Sequence, residues 1–316
     1  MEFILNKIKE YNRIIIFGHE RPDGDCIGSQ YGLYYILKET YPNKEIYITG
    51  EVSEYVGFIG RPTMVDESLL KGSLAICVDC ANGDRLSDKR YKECDYSIKI
   101  DHHLNVDSYC DYEYVDTKSP ACAQILTEFY LLNKDELKMN TKAAEALYVG
   151  IVTDTGRFKY DSTTSKTHKM VASLLEYGVN IGKIDNELSI ETVDSLKLRG
   201  YCLNTFKVTE HGFAYLVMTR DIINKFGVSD EDAANQVTCI STIEGCPVWA
   251  MFIEYPDQIR IRLRSRGPVV NLLAEEYNGG GHPKASGAKL KSWEELDEFL
   301  AKADELVLKY KKELEI

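Results

Sequence analysis

A chain of 316 residues is long enough for two domains, each burying its own core. With 44% apolar and 28% charged residues it has the profile of a folded globular protein, and its longest apolar runs fall far short of a membrane span. A formal net charge of −12 disfavours long duplex nucleic acid, which needs a basic face, and leaves room for small phosphorylated ligands in a local positive pocket.

The start, residues 1–13, mixes Glu and Lys with apolar residues at helical spacing. It lacks the unbroken apolar core of a secretory signal, so the cytoplasm is the expected location. Nine cysteines, an odd number, suit a reducing compartment better than a disulfide framework. Cys77 and Cys80 form a C-x-x-C, yet no second pair stands at matching distance. Both sit in a strand-like run, where a free thiol packs as a small apolar group.

In chain order, residues 13–17 (RIIIF), 45–49 (EIYIT), 73–78 (SLAICV) and 96–100 (YSIKI) read as short buried strands. Helical patterns lie at 26–39, 120–133 and 141–152. This alternation predicts an α/β domain over 1–185, built on a mostly parallel, doubly wound sheet. Polar breaks and a connecting helix or hinge follow at 186–204. A smaller α/β domain is expected at 205–316, starting with strand 213–218 and helices near 219–243. Strands 248–255 and 258–265 turn at Pro256-Asp257 as a hairpin. A helix at 269–277, a Gly-rich loop at 278–287 and an amphipathic helix at 292–313 complete it.

In parallel sheets the ligand crevice lies beyond the carboxyl ends of the strands. His19 follows the first strand, Asp79 the third and Asp101 the fourth, so residues distant in sequence are expected to meet at one rim. Asp23 and Asp25 flank Gly24, which lets both carboxylates face one centre. Asp-Gly-Asp could be a turn, a strand-end Asp a helix cap, and paired His ordinary core residues. Jointly the functional reading wins, because three of the six His fall in these acidic segments. Carboxylates with a few imidazoles suit Mn²⁺ or Mg²⁺ better than structural zinc. Two such ions about 3.5–4 Å apart can lower the pKa of a shared water and clamp a phosphoryl group, which points to phosphate-ester hydrolysis. Asp79, isolated at its strand end, is the natural bridge.

In the second half, Arg260, Arg262, Arg264 and Arg266 alternate along one strand. Residues two apart sit roughly 6.5–7 Å apart, close to the spacing of successive phosphates on an extended strand. An edge strand guarded by solvated charges would look the same. Arg264 and Arg266, beside Ser265 and Gly267 at the strand end, are the better candidates for ligand contact. The run Gly279-Gly280-Gly281-His282 offers backbone N–H groups and an imidazole to a phosphate oxygen.

The segments HERPDGDCIGS, VDCANGDRL, DHH and VTDTGRF resemble, in order, the four motifs of the DHH phosphoesterase family. GGGHPKASG resembles the DHHA1 substrate domain that follows them, so the likeness spans nearly the whole chain. It implies an active site in the cleft between the domains and two Mn²⁺ ions, with Mg²⁺ or Co²⁺ as substitutes. His19, Asp23 and Asp79 would hold one ion; Asp25, Asp79, His102 and Asp154 would hold the other. His103 would face the scissile phosphate as hydrogen-bond donor or general acid, and Asp101 would orient an imidazole from behind. Arg264, Ser265, Arg266, Gly280, Gly281 and His282 would contact substrate. Cys26 stands where many relatives carry a small residue such as Ala, and its size should be tolerated.

Compact members of the family of this length act on very short oligoribonucleotides, linear dinucleotides such as pApA or pGpG, and 3′-phosphoadenosine 5′-phosphate. The resemblance therefore implies a short nucleotide substrate; the net charge speaks against a long duplex and the short apolar runs against a membrane, and a homodimer is compatible with all of this. Cyclic-dinucleotide hydrolysis stays open. A RecJ-type single-strand exonuclease would want further binding modules and a more basic surface. A family II inorganic pyrophosphatase would want a Lys-rich second domain. A non-catalytic nucleotide-binding relative would have shed ligand acids that this chain retains.

Overall fold

The computed structural model describes residues 1–105 and 107–314, which fall into two compact units, Met1–Ile190 and Glu191–Ile316. The first contains α1 (Glu2–Glu10), β1 (Arg13–Phe17), α2 (Gly24–Thr40), β2 (Glu45–Thr49), β3 (Ser73–Val78) and β4 (Tyr96–Asp101). It continues with β5 (Tyr112–Val115), α3 (Cys122–Leu132), α4 (Thr141–Asp154), α5 (Ser165–Leu175) and α6 (Ile181–Ser189). Its sheet runs β2-β1-β3-β4-β5 with every described pairing parallel. The central strands β1 and β3 are near-continuous apolar runs because both their faces are covered. Ile14 and Ile16 face a layer of helices, whereas Ile15 and Phe17 face Leu70, Leu86 and Tyr91 from loops and 3₁₀ turns.

Strand order reverses between β1 and β3, and at such a switch point the loops leaving adjacent strand ends part to form a crevice. Helices α2 and α4 close onto this rim at short range. A Cβ on Gly28 would lie 2.5 Å from the Ala146 carbonyl oxygen, so only glycine admits that approach. The contact brings the start of α2, with Asp25, beside the end of α4, with Asp154.

The second unit contains α7 (Val193–Thr205), β6 (Lys207–Val208), β7 (Phe213–Met218), α8 (Arg220–Phe226), α9 (Asp230–Asn235) and β8 (Val248–Glu254). β9 (Ile259–Ser265), α10 (Asn271–Glu276), β10 (Gly280–His282), β11 (Ala285–Leu290) and α11 (Leu296–Glu313) follow. Its mixed sheet runs β10-β11-β9-β8-β7-β6; among the described residues only β7 and β8 pair in parallel. Phe252, Ile261 and Leu263 pack under α10 and α11, while Trp249, Met251 and Ile253 pack under α7 to α9. Leu198 and Cys202 of α7, within the stretch expected to connect the domains, are buried in this second core.

The Gly-rich stretch expected as a loop instead forms the hairpin β10–β11, with Gly281 opposite Ser286 and His282 opposite Ala285. Glycine carries no apolar alternation, so the strand leaves no pattern to read. Gly281 has φ +134, and a Cβ there would meet the Ala285 carbonyl oxygen at 2.8 Å. Among the described residues no helix is long and apolar enough to cross a membrane.

Asp304 of α11 ties the β6–β7 turn to its helix. It accepts from the Thr209 hydroxyl, the His211 backbone N–H (2.9 Å) and His211 Nδ1 (2.7 Å). Burial works to raise its carboxyl, but the Thr209 and His211 donors hold it below the usual carboxylate range. A depressed folded pKa contributes stability above the unfolded value of about 3.9, lost as pH falls through the folded one. Asp304→Asn is therefore expected to cost about 1–3 kcal/mol at neutral pH. In urea titrations the gap from wild type should narrow below about pH 4; a gap independent of pH would refute the charged-acceptor role.

Candidate metal centre

His19, two residues past β1, points Nδ1 at the Glu20 carbonyl (2.8 Å). A carbonyl can only accept, so Nδ1 carries the proton and Nε2 turns its lone pair toward the rim. There Nε2 lies 3.6 Å from Asp79 Oδ2 and 3.8 Å from Asp23 Oδ1. His102 repeats the device: Nδ1 faces the Ser119 carbonyl at 3.2 Å. Its Nε2 lies 3.3 Å from Asp154 Oδ2, 3.4 Å from Asp79 Oδ1 and 3.8 Å from Asp25 Oδ2.

Asp79 sits at the centre, buried, with φ +55, a backbone conformation rare outside glycine and costly except where surroundings impose it. Its N–H donates to the Ile100 carbonyl (3.0 Å), which locks the residue across β3 and β4. Besides the two Nε2 atoms it meets His103 Nδ1 at 3.6 Å. Asp79 Oδ1 is buried without a hydrogen-bond partner among the described residues.

Asp25 is buried at the N-terminal end of α2, and its carboxylate also caps α3. It accepts from Cys122 N (2.5 Å) and Ala123 N (2.9 Å), because the cap residue Ala121 has no side-chain acceptor. Asp23 caps α2, accepting from Asp25 N and Cys26 N at 3.0 Å each, with its side chain largely exposed. Asp154 closes α4.

The separations of 3.3–3.8 Å between imidazole nitrogens and carboxylate oxygens exceed ordinary hydrogen bonds. They approach the roughly 3 Å expected between neighbouring ligands of an octahedral ion with bonds near 2.1 Å. Three groups have donor atoms within 4.8 Å of one another, close enough to share an ion: His19, Cys26 and Asp79; Asp79, His102 and His103; Asp25, His102 and Asp154. Asp79 belongs to two of them and His102 to two, so the groups are contiguous. Cys26 Sγ, treated in the sequence only as a matter of size, lies in the first group, which does not include Asp23. Burial pushes the Cys26 thiol up to about 11, so it remains protonated at neutral pH.

Electrostatics point the same way. Burial, then the Asp79 and Asp154 charges, push the Asp25 carboxyl well above its ordinary value. Burial and Asp79 push Asp154 up to about 7. Burial opposes ionisation of Asp79 too, but the His102 and His19 imidazoles hold it below the usual carboxylate range. Crowded carboxylates that resist ionising together are relieved by a cation. The orphaned Asp79 oxygen, the inward Nε2 atoms and this acid crowding fit a divalent metal.

Behind the rim, Asp101 is fully buried; its Oδ1 accepts from His102 N (2.9 Å), His103 N (3.3 Å) and His103 Nδ1 (2.8 Å). His103 is half-exposed, so its Nε2 edge is presented outward. Sequence reasoning passes over Lys99. It is fully buried on β4, 3.6 Å from Asp101 Oδ2, and donates to the Ala81 carbonyl (3.0 Å) and Asn105 Oδ1 (3.1 Å). The available signal is a lysine in the middle of an otherwise apolar parallel strand, which needs an internal partner.

In the second unit, β9 is an interior strand between β11 and β8, which removes the edge-strand explanation of its arginines. Ala285 pairs with both His282 and Arg264, so those two residues lie in one row and face the same side. Arg264 Nη1 donates to the Leu263 carbonyl at 2.9 Å. Ser265 is buried, its Oγ accepting from Gly267 N (2.9 Å). Arg266 lies past the strand; its Nη2 donates to the Ile243 and Cys246 carbonyls (2.9 and 3.1 Å), and its guanidinium lies over Trp249. Gly280 and Gly281 form β10 with His282.

Residues 13–151 match the DHH family, N-terminal domain, and residues 211–309 match the DHHA1 domain. The bifunctional oligoribonuclease and PAP phosphatase NrnA of Bacillus subtilis is 41% identical over 304 residues, covering 96% of this chain and 97% of that protein. The protein of the same name from Mycoplasma genitalium is 33% identical over 94% of each chain. The crystal structure of an exopolyphosphatase-related protein from Bacteroides fragilis superposes with TM-score 0.85 at 25% identity, covering 100% of this chain and 97% of the other. With both domains matched and the relatives aligned almost end to end, the chain belongs to the DHH family of phosphoesterases, with a DHHA1 domain as its second unit.

Proposed function

We propose that this chain is a Mn²⁺-dependent phosphoesterase that hydrolyses short oligoribonucleotides, linear dinucleotides such as pApA or pGpG, and 3′-phosphoadenosine 5′-phosphate. The observation that carries this reading is the convergence of His19, His102 and His103 on Asp79, with Asp25 and Asp154 facing the same Nε2 of His102. It occurs in a chain 41% identical, over 96% of its length, to an oligoribonuclease and PAP phosphatase.

His19, Asp23 and Asp79 would hold one ion, and Asp25, Asp79, His102 and Asp154 the other, with Mg²⁺ or Co²⁺ as substitutes. When bound, such a pair neutralises charge on a phosphoryl group undergoing in-line displacement. The protein's own contribution is placement. Carbonyls at Glu20 and Ser119 hold Nδ1 of His19 and His102, so each Nε2 already points at the carboxylates and a metal would displace only its proton. Asp101 fixes His103 Nδ1, leaving Nε2 to donate to a phosphoryl oxygen or to the departing oxygen. In the second unit, Arg264, Ser265, Gly280, Gly281 and His282 would bind a further substrate phosphate, with Arg266 contributing donors not committed to Ile243 and Cys246. Nine free cysteines suit work in the cytoplasm.

The test is a rate comparison, after chelation and Mn²⁺ restoration, across pAp, pApA, pGpG, cyclic di-AMP and a single-stranded 24-mer. Chelation should abolish turnover and Mn²⁺ restore it, with pAp and the linear dinucleotides fastest. Indifference to the chelator would exclude the metal reading. A 24-mer cut as fast as a dimer would exclude the small-substrate reading.

A further inference from the structure

The arginine row on β9 extends beyond the residues used above. A cavity of about 460 Å³ opens on the second unit's sheet, lined by Tyr255, Arg260, Arg262, Asn278, Gly287 and Lys289 among others. Its size lies within the range of small-ligand sites. Register explains how it arises. Arg260 pairs with Lys289 and Arg262 with Gly287, so all four positions face one side of the β9–β11 ribbon. Gly287 has no side chain, which leaves the space beside Arg262 open.

The charge in the cavity is unbalanced. Among the described residues neither Arg260, Arg262 nor Lys289 forms an ion pair with a carboxylate. Arg262 donates only to the neutral Asn235 Oδ1, at 3.2 Å. Three cations share one concavity in a chain with 50 acidic and 38 basic residues. Such an arrangement is held apart by mutual repulsion unless an anion occupies it. The Arg260 guanidinium is laid over the Tyr255 ring, 4.4 Å from its centroid, which fixes the plane it presents. A planar guanidinium with ammonium and amide donors beside it suits a phosphate with an attached base.

We infer that this cavity is a nucleotide-phosphate site additional to the metal centre and to the Arg264–His282 row. Two sources can supply the same chemistry: the distal nucleotide of an oligonucleotide longer than a dimer, or a free mononucleotide. Arg262 lies two residues from Arg264 on β9, roughly 6.5–7 Å along the strand, a phosphate-to-phosphate step. This argument rests on the nucleotide reading proposed above for the chain.

The test uses the full-length, chelator-treated protein, so that nothing is turned over. 5′-AMP and a single-stranded RNA 10-mer are each titrated into wild type, Arg260→Ala/Lys289→Ala and the exposed single variant Lys289→Glu. Melting curves check the fold, and pApA turnover with restored metal is the control. The double variant should bind at least one ligand about tenfold more weakly, with pApA turnover unchanged. Loss for the 10-mer alone assigns the cavity to a substrate tail; loss for 5′-AMP as well assigns it to free mononucleotide. Unaltered binding of both, or a pApA defect as large as the binding defect, would overturn a separate site. If wild type failed to hydrolyse pApA yet lost 5′-AMP affinity on substitution, the hydrolase reading would fall and the cavity would stand.

Discussion

Asp79→Asn is expected to lower kcat/KM by about 10³-fold or more while the protein stays folded. The substitution is close to isosteric, and asparagine tolerates the positive φ found at this position better than most residues. The amide keeps one carbonyl oxygen but removes the charge that His19 and His102 both face. No neighbour can replace it: Asp25 is committed to the α3 backbone, and Asp154 reaches His102 without forming a group with His19. Elemental analysis should find fewer than two ions per chain, with circular dichroism unchanged. Turnover near wild type, or retention of two ions, would end the bridging assignment.

The cluster was legible because its imidazoles and carboxylates fall at the ends of the strands that carry them. RIIIF, EIYIT and SLAICV match β1, β2 and β3 to the residue, since a strand buried on both faces is a short apolar run between polar breaks. His19, Asp79 and Asp101 then fall at strand ends by counting. β5 was not legible: Tyr112, Glu113, Tyr114 and Val115 are only half-buried at the sheet edge and show no apolar run. Nor was the second task of Asp25, whose partner N–H groups lie 97 and 98 residues away and matter because Ala121 cannot cap its own helix. Alternation suggested that Arg266 continues the face of Arg264. The strand ends at Ser265, and beyond it the chain bends so that Arg266 is drawn to loop carbonyls.

Lys99→Met should destabilise the protein by about 3–5 kcal/mol, the cost of stranding one member of a buried ion pair. Lys99 and Asp101 are both fully buried, so neither charge can be hydrated when the other is removed. The methionine would fill most of the volume, yet Asp101 Oδ2, which has no hydrogen-bond partner among the described residues, would lose the ammonium 3.6 Å away. The Ala81 carbonyl and Asn105 would each lose a donor. Asp101 is held below the usual carboxylate range by His103 despite its burial. Without Lys99 its carboxyl should rise, and a folded pKa raised above the unfolded one makes the defect shrink as pH falls. Lys99→Met/Asp101→Asn should recover part of the loss, because no buried charge remains. Activity should not recover with stability: an Asn oxygen still receives Nδ1–H of a neutral His103 but no longer favours its protonated form, and kcat should stay about 10–100-fold down. Denaturant unfolding of both variants decides the matter. A single-variant loss below about 1 kcal/mol, or a double variant no more stable than Lys99→Met, would show that the pair is not what holds His103 against the metal rim.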